Sequence, residues 1–234
     1  SAPPGPGAKL EGTARHVYLV QEPATEVKQE RLEANKGFSG EANERELQDL
    51  VENLSTNILI IGAGGAGNNT LERLYREGID GVEMLALNTD AQHLLAARVP
   101  HRMLIGKQLT KGLGAGAEPH LGEGAAEEAR DDLLNACHEA DIVFLTGGLG
   151  GGTGTGALPV IARFAKEKQA LTIAIVTLPF SNEGARRAKN AQQGLERLRK
   201  VADTVIVIPN DKLLQEDIAQ LPLNEAFRKA DAIL

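Results

Sequence analysis

From residue 57 onward, short apolar runs alternate with longer stretches whose apolar positions recur every three or four residues. The short runs, such as Asn57-Ile58-Leu59-Ile60-Ile61, predict strands near 57–61, 82–87, 102–105, 141–145, 171–178 and 204–208. The periodic stretches predict helices near 68–77, 90–97, 122–138, 156–168, 183–199 and 223–234. Leu71, Leu74 and Tyr75 share one face of the first helix. Gly78 stands where a C-cap glycine belongs, and Pro159 falls in the first turn of its helix, where proline is tolerated. The run Leu171 to Val176 is apolar on both faces, as in a parallel sheet covered on each side. The alternation predicts an α/β fold, a doubly wound, mostly parallel Rossmann-like sheet of about six strands with helices on both faces. Its ligand site is expected at the carboxyl ends of the strands.

The leader reads differently. Residues 1–40 begin with Ala2-Pro3-Pro4-Gly5-Pro6-Gly7 and carry a mostly charged stretch from Glu22 to Lys36, the pattern of a flexible tail. Its short apolar patch, Val17 to Val20, could instead pair with a sheet edge. In residues 41–56, Leu47, Leu50, Val51 and Leu54 fall at i, i+3, i+4 and i+7, an amphipathic helix expected to pack on the domain surface. Residues 57–234 are expected to form the ligand-binding domain.

Two glycine segments carry the candidate chemistry. Gly150-Gly151-Gly152-Thr153-Gly154-Thr155-Gly156 lies between the apolar run Ile142 to Leu145 and a predicted helix. Its five glycines in seven residues bare the backbone N–H groups, and the helix behind adds unpaired N–H groups and a positive dipole end. Such a segment is a polyphosphate cradle. Gly62-Ala63-Gly64-Gly65-Ala66-Gly67, between the first strand and Asn68-Asn69 at the expected helix start, is a G-x-G-x-x-G in strand-turn-helix context. With Asp90 as the acidic residue after the next strand, that fingerprint also suits an NAD(P)-dependent oxidoreductase, which leaves the cradle at Gly150 without a role. Two phosphate loops on two strand ends suit one triphosphate gripped from both sides. A Walker-type loop is excluded, since Gly106-Lys107 is followed by Gln108.

Composition narrows the partners. The net charge of −7 argues against nonspecific nucleic-acid binding and against an anionic membrane surface. A phosphate ligand remains compatible if neutral N–H groups do the binding. The single Cys137 excludes an intrachain disulfide and fits a reducing compartment, and none of the five histidines has metal-ligand spacing with another or with Cys137. No apolar run reaches the roughly 18 residues of a membrane span, and the N-terminus shows no signal-peptide pattern. A cytoplasmic protein without direct membrane insertion is expected.

Gly150 to Gly156 resembles the signature of the tubulin superfamily, whose tubulin branch has Ser where this chain has Thr155. Gly64 to Asn69, Asn88-Thr89-Asp90-Ala91-Gln92, Gly112 to Ala117, Pro179-Phe180, Glu183-Gly184, Arg187, Ile208-Pro209-Asn210-Asp211 and Ala226-Phe227 resemble its cell-division GTPase branch, FtsZ. The match runs in order from about residue 55 to 234, and Gly148-Leu149-Gly150 with the leader resembles archaeal members. The resemblance implies a site for GTP or GDP with Mg²⁺ held mainly by phosphates and water, Asp90 being an outer-shell partner. Gly64, Gly65, Ala66, Gly148, Gly150, Gly151, Gly152, Thr153 and Gly154 would cradle phosphates. Gly114, Ala115, Gly116 and Ala117 would fold over the terminal phosphate. Asn69 would contact guanine or ribose, Glu183 and Arg187 would contact ribose and phosphate beside the nucleotide-binding Pro179, Asn210 and Asp231 would read the base, and Phe227 would stack on it.

The resemblance also implies head-to-tail self-assembly, with hydrolysis completed by a loop of the next subunit. No catalytic residue is therefore expected within residues 1–234, which would end inside the family's central helix, before the second domain and the tail that meets the membrane anchors of the division ring. On that reading the chain alone would be nearly inactive. A nucleotide-binding scaffold without turnover is the further alternative.

Overall fold

The computed structural model describes residues 18–21 and 56–213. Among the described residues seven strands form one sheet: β1 Tyr18–Gln21, β2 Ile58–Ala63, β3 Val82–Asn88, β4 His101–Leu104, β5 Ile142–Gly148, β6 Leu171–Leu178 and β7 Thr204–Pro209. Their order across the sheet is β1-β7-β6-β5-β2-β3-β4. The six strands β2 to β7 are mutually parallel, and β1 adds to the β7 edge antiparallel, with Tyr18 opposite Val207. Tyr18 to Val20 of the apolar patch thus lie at a sheet edge, the second of the two roles its sequence allows.

The connections are helices α1 Gly64–Glu77, α2 Ala91–Ala96, α3 Pro119–Glu128, α4 Arg130–Ala136, α5 Thr153–Glu167, α6 Ala185–Arg199 and α7 Asn210–Leu213, with a 3₁₀ turn at Ser181–Glu183. The expected helix over 122–138 is two helices. The chain bends at Ala129 (φ −94°, ψ 20°), which closes α3 and opens α4 without a glycine or proline to announce it. Of the leading helix expected at 41–56, residues 41–55 lie outside the described residues, as does the element expected at 223–234.

Strand alternation divides the core between the two faces of the sheet. Leu59, Ile61, Ala63, Leu85 and Leu87 join the larger cluster, with residues of α3, α4, α5 and α6. The intervening Met84 and Ala86 join Leu71 of α1 and Leu94 of α2 in a smaller cluster. Tyr75, expected beside Leu71, is 52% exposed. Helix α5 is the most deeply set, with Ala157, Leu158, Ile161 and Phe164 fully buried. Burying each Leu, Ile or Phe side chain contributes about 1.5–3 kcal/mol, so α5 is anchored far more strongly than its glycine-rich first turn would suggest.

β2 and β5 are neighbours, and the chain leaves them in opposite directions across the sheet, β2 towards β3 and β5 towards β6. That is a topological switch point, where a crevice opens at the carboxyl ends of the strands.

Candidate nucleotide-binding site

Two helices begin at that switch point. α1 starts at Gly64 directly after β2, and α5 starts at Thr153 with four residues between it and the end of β5. Their N-cap residues, Ala63 and Gly152, make no side-chain capping hydrogen bond. α2 is built differently: Oδ1 of its N-cap Asp90 accepts from His93 N at 3.0 Å. Where α2 satisfies a terminal N–H internally, the first residues of α1 and α5 have no such cap and line the crevice, the arrangement that attracts an anion.

The crevice has a volume of about 320 Å³ and is lined by Gly64, Gly65 and Ala66 of the first segment and by Gly148, Gly151, Gly152, Thr153 and Gly154 of the second. Thr177 and Pro179 from the end of β6, Glu183, Arg187 and Asn210 complete the wall. Twelve of the residues singled out from sequence thus share one cavity. Gly150 sits just behind, buried, with φ at 109° and its N–H donating to Thr155 Oγ1 at 2.8 Å.

The glycines differ in what their missing side chains make room for. A Cβ on Gly151 would meet no protein atom within 4 Å, and one on Gly65 would find its nearest neighbour, His93 Nε2, at 3.5 Å. A Cβ on Gly152 would lie 2.7 Å from Ala115 Cβ, and one on Gly154 would lie 2.8 Å from the Gly148 carbonyl oxygen. Gly152 and Gly154 are therefore required by protein packing. Gly151 and Gly65 leave space for something else.

At the far wall, Glu183 is held from two sides. Its Oε1 accepts from Phe180 N at 2.8 Å and its Oε2 pairs with Arg187 Nη1 at 2.5 Å. The glutamate side chain is 15% exposed and the arginine 51%, so the pair presents an anchored carboxylate and a freer cation at the rim. Asn210 opens α7, beside Asp211, whose Oδ1 accepts from Ser181 N at 2.9 Å and from its hydroxyl at 3.2 Å. Asn210 is buried, and its Oδ1 has no hydrogen-bond partner among the described residues. An unmade buried acceptor costs about 1–3 kcal/mol, and a ligand donor in the crevice would remove that cost.

Other residues fall elsewhere. Asn68 and Asn69 lie in the second turn of α1, not at its start, because the helix runs back to Gly64. The Asn68 amide, with Nδ2 facing the carbonyls, donates to Gly62 O at 3.0 Å and Leu87 O at 3.1 Å and accepts from Asn88 Nδ2 at 3.1 Å, which staples β2 to β3. Asn69 is exposed and Asp90 caps α2, and neither lines the crevice. Gly114 to Ala117 form a loop packed against the amino end of α5, with Ala115 buried and Ala117 at a left-handed φ of 60°. A non-glycine residue held there costs about 1–2 kcal/mol. Phe227 and Asp231 lie outside the described residues. Cys137 is buried at the end of α4, and desolvation pushes its thiol up to about 11 against a smaller opposing pull from Lys168, so it is an inert packing residue.

Three contributors were not singled out from sequence as site residues, although Thr89 lies within the motif Asn88 to Gln92. Thr177 lines the crevice, and the rule that strand ends face the ligand would have found it. Thr89 Oγ1 lies 2.7 Å from the hydroxyl of Thr153 and fixes that side chain at the mouth of α5. Asn190 of α6 donates to the Ala117 carbonyl at 3.1 Å and stands within 3.4 Å of the Gly150 carbonyl.

A doubly wound sheet with two uncapped helix starts meeting over bare glycines defines an α/β phosphate-binding domain. Residues 57–217 match the Tubulin/FtsZ family, GTPase domain, and the chain belongs to that family. Over 216 residues it is 52% identical to cell division protein FtsZ 1 of Archaeoglobus fulgidus, covering 92% of this chain and 58% of that protein. It is 55% identical to cell division protein FtsZ 1 of Pyrococcus abyssi, covering 82% of this chain and 51% of that one. The chain therefore spans about half the length of the curated relatives it matches. Among solved structures it superposes on the empty FtsZ dimer of M. jannaschii with a TM-score of 0.77 at 49% identity, over 84% of this chain and 56% of that one. The GDP-bound monomer of CetZ1 from Haloferax volcanii superposes with a TM-score of 0.68 at 29% identity, over 76% and 57%. The six parallel strands correspond to the order expected for this family's fold, with β1 as an additional edge.

Proposed function

We propose that this chain is the GTP- and GDP-binding domain of a filament-forming cell-division GTPase. The observation that carries the reading is the pair of uncapped helix starts, α1 and α5, converging on the space left by Gly65 and Gly151. In it the phosphate chain lies between the two glycine segments and accepts hydrogen bonds from their N–H groups, while Thr153, oriented by Thr89, adds a hydroxyl. Glu183 and Arg187 take the ribose side, and Asn210, with Asp231 and Phe227, takes the base. A carboxylate and an amide oxygen suit the ring N–H and amine of guanine and leave an adenine unmatched. Two solved relatives from Haloferax volcanii, a GDP-bound CetZ1 monomer and a GTPγS-bound CetZ2 protofilament, support a guanine nucleotide and longitudinal assembly.

Magnesium, when bound, neutralises charge developing on the phosphates. The donors present fit an ion held by phosphate oxygens and water. Among the described residues no cluster of three or more His, Cys, Asp or Glu could hold a metal alone. Asp90, at the mouth of α2 beside Gly114, is the nearby carboxylate for its water shell. The loop Gly114 to Ala117 covers the terminal phosphate, and Asn69 serves the ribose or base. Hydrolysis is completed by the next subunit in a head-to-tail filament, as part of a cytoplasmic division ring whose membrane anchors bind elsewhere in the whole protein. Among the described residues no helix is long and apolar enough to cross a membrane.

The test is calorimetric titration with GDP and ADP in the presence of magnesium. GDP is expected to bind at least about 100-fold more tightly, a difference of about 2.7 kcal/mol. Equal affinity for the two would sink the reading.

A further inference from the structure

We propose that Asn190, with Arg186 one turn before it, is a positioning residue that sets the preference of the site for a nucleoside triphosphate over a diphosphate. The proposal rests on the guanine-nucleotide reading above. Asn190 touches neither the crevice nor any residue expected to contact a base. Its amide nitrogen lies between two backbone carbonyls, Ala117 O at 3.1 Å and Gly150 O at 3.4 Å. One carbonyl belongs to the loop packed against the start of α5, the other to the glycine cradle.

That loop needs an external hold. Gly116 and Ala117 are consecutive left-handed residues, with φ of 53° and 60°. Alanine does not stay there without restraint from its surroundings. Gly116 is exposed, and a Cβ on it would meet nothing within 4 Å, so the tip of the loop is unsupported from outside. Gly114 is fixed by its N–H donating to Thr89 O at 3.0 Å, and the restraint at the Ala117 end of the loop comes from α6. Asn190 takes the Ala117 carbonyl, and Arg186, on the same helix face, pairs with the carboxylate of Glu118. Glu118 N donates to Ala115 O at 2.8 Å and closes the turn between them. The cradle does not depend on α6 in the same way, because Gly150 is also fixed by its hydrogen bond to Thr155.

The two loops therefore lose different amounts when Asn190 is changed. A diphosphate is held by the cradle, whereas the added terminal phosphate also needs the 114–117 loop in its strained shape. Releasing Ala117 lets the loop relax and weakens the contact that only the triphosphate makes.

The experiment titrates GDP and a non-hydrolysable GTP analogue, with magnesium, into the parent chain and into Asn190→Ala, Asn190→Asp and Arg186→Ala. In Asn190→Ala the ratio of triphosphate to diphosphate affinity is expected to fall roughly 5-fold, the loss of one net hydrogen bond. Asn190→Asp keeps the size but has no donor, and the same fall is expected. Arg186→Ala alters an exposed side chain, and a fall of about 2-fold is expected. It carries the test if Asn190→Ala does not fold. A role in stability alone lowers both affinities in proportion, and that outcome overturns the proposal, as does a parent-like ratio in Asn190→Asp. Absence of guanine-nucleotide binding by the parent overturns the functional reading along with it.

Discussion

The two glycine segments look alike in sequence and are used differently in the fold. In the first, Gly62 and Gly67 allow α1 to lie against β2 and β5. A Cβ on Gly62 would overlap the Gly67 carbonyl, and one on Gly67 would lie 2.5 Å from the Thr146 carbonyl. In the second, Gly152, Gly154 and Gly156 admit the 115–118 loop, the end of β5 and helix α3, with a Cβ on Gly156 overlapping the Pro119 carbonyl. Gly65 in the first segment and Gly151 in the second open onto the crevice with no close protein neighbour. Most of the glycine in a phosphate-binding signature is thus a packing requirement, and the ligand is met at one or two positions per segment. Helix depth explains the contrast. α1 is seated by a small cluster around Leu71 and Leu94, whereas α5 is buried on nearly every side and needs a glycine at each close approach.

The sharpest way to break this contrast is Gly156→Ala. The added methyl has nowhere to go between α5 and α3, and a loss of about 3 kcal/mol or more in unfolding free energy is expected from denaturant titration without nucleotide. Wild-type stability would mean that α3 and α5 are less closely packed than described. Gly151→Val should do the reverse. Its unfolding free energy is expected within about 0.5 kcal/mol of the parent, with GDP affinity reduced about 100-fold because the side chain occupies the phosphate space. Intact binding in that variant would move the phosphates away from the second segment.

Asn210→Ala sharpens the comparison at the other end of the crevice. Removing a buried acceptor that lacks a described partner should leave nucleotide-free stability unchanged or slightly raised, while discrimination of GDP from ADP falls by about 1–3 kcal/mol. A large stability loss would show that the amide is structural. The smallest effect is expected at Arg187→Ala. Its half-exposed pair with Glu183 contributes about 0–1 kcal/mol to stability, and its loss should weaken GDP by a few-fold without altering the preference over ADP.

The sheet was legible because its central strands are largely apolar and bounded by turn residues. β3, β6 and β7 lie within a residue or so of their expected limits. β2 and β5 run on to Ala63 and Gly148, and α1 and α5 start as early as Gly64 and Thr153. Glycine disfavours both states by intrinsic propensity, but here close packing of helix on strand overrides that preference. The bend at Ala129 had no local signal. The strand-end rule and the family signature together brought most of the crevice into view. Asn190 and Thr89 did not emerge as site residues, since each acts through a hydrogen bond to a residue distant in sequence, Ala117 and Thr153.

The most direct test of the central claim is a crystal structure of the chain with GDP and magnesium. Phosphate oxygens are expected within about 3 Å of the N–H groups at residues 64–66 and 151–154, with the diphosphate occupying the space beside Gly65 and Gly151. A second cleft of about 330 Å³ lies at the amino ends of β2 and β3, at the opposite end of the strands, lined by Asn57, Gly81, Glu83 and Glu139. Nucleotide bound there, or phosphates at the switch point that bypass both helix starts, would contradict the account.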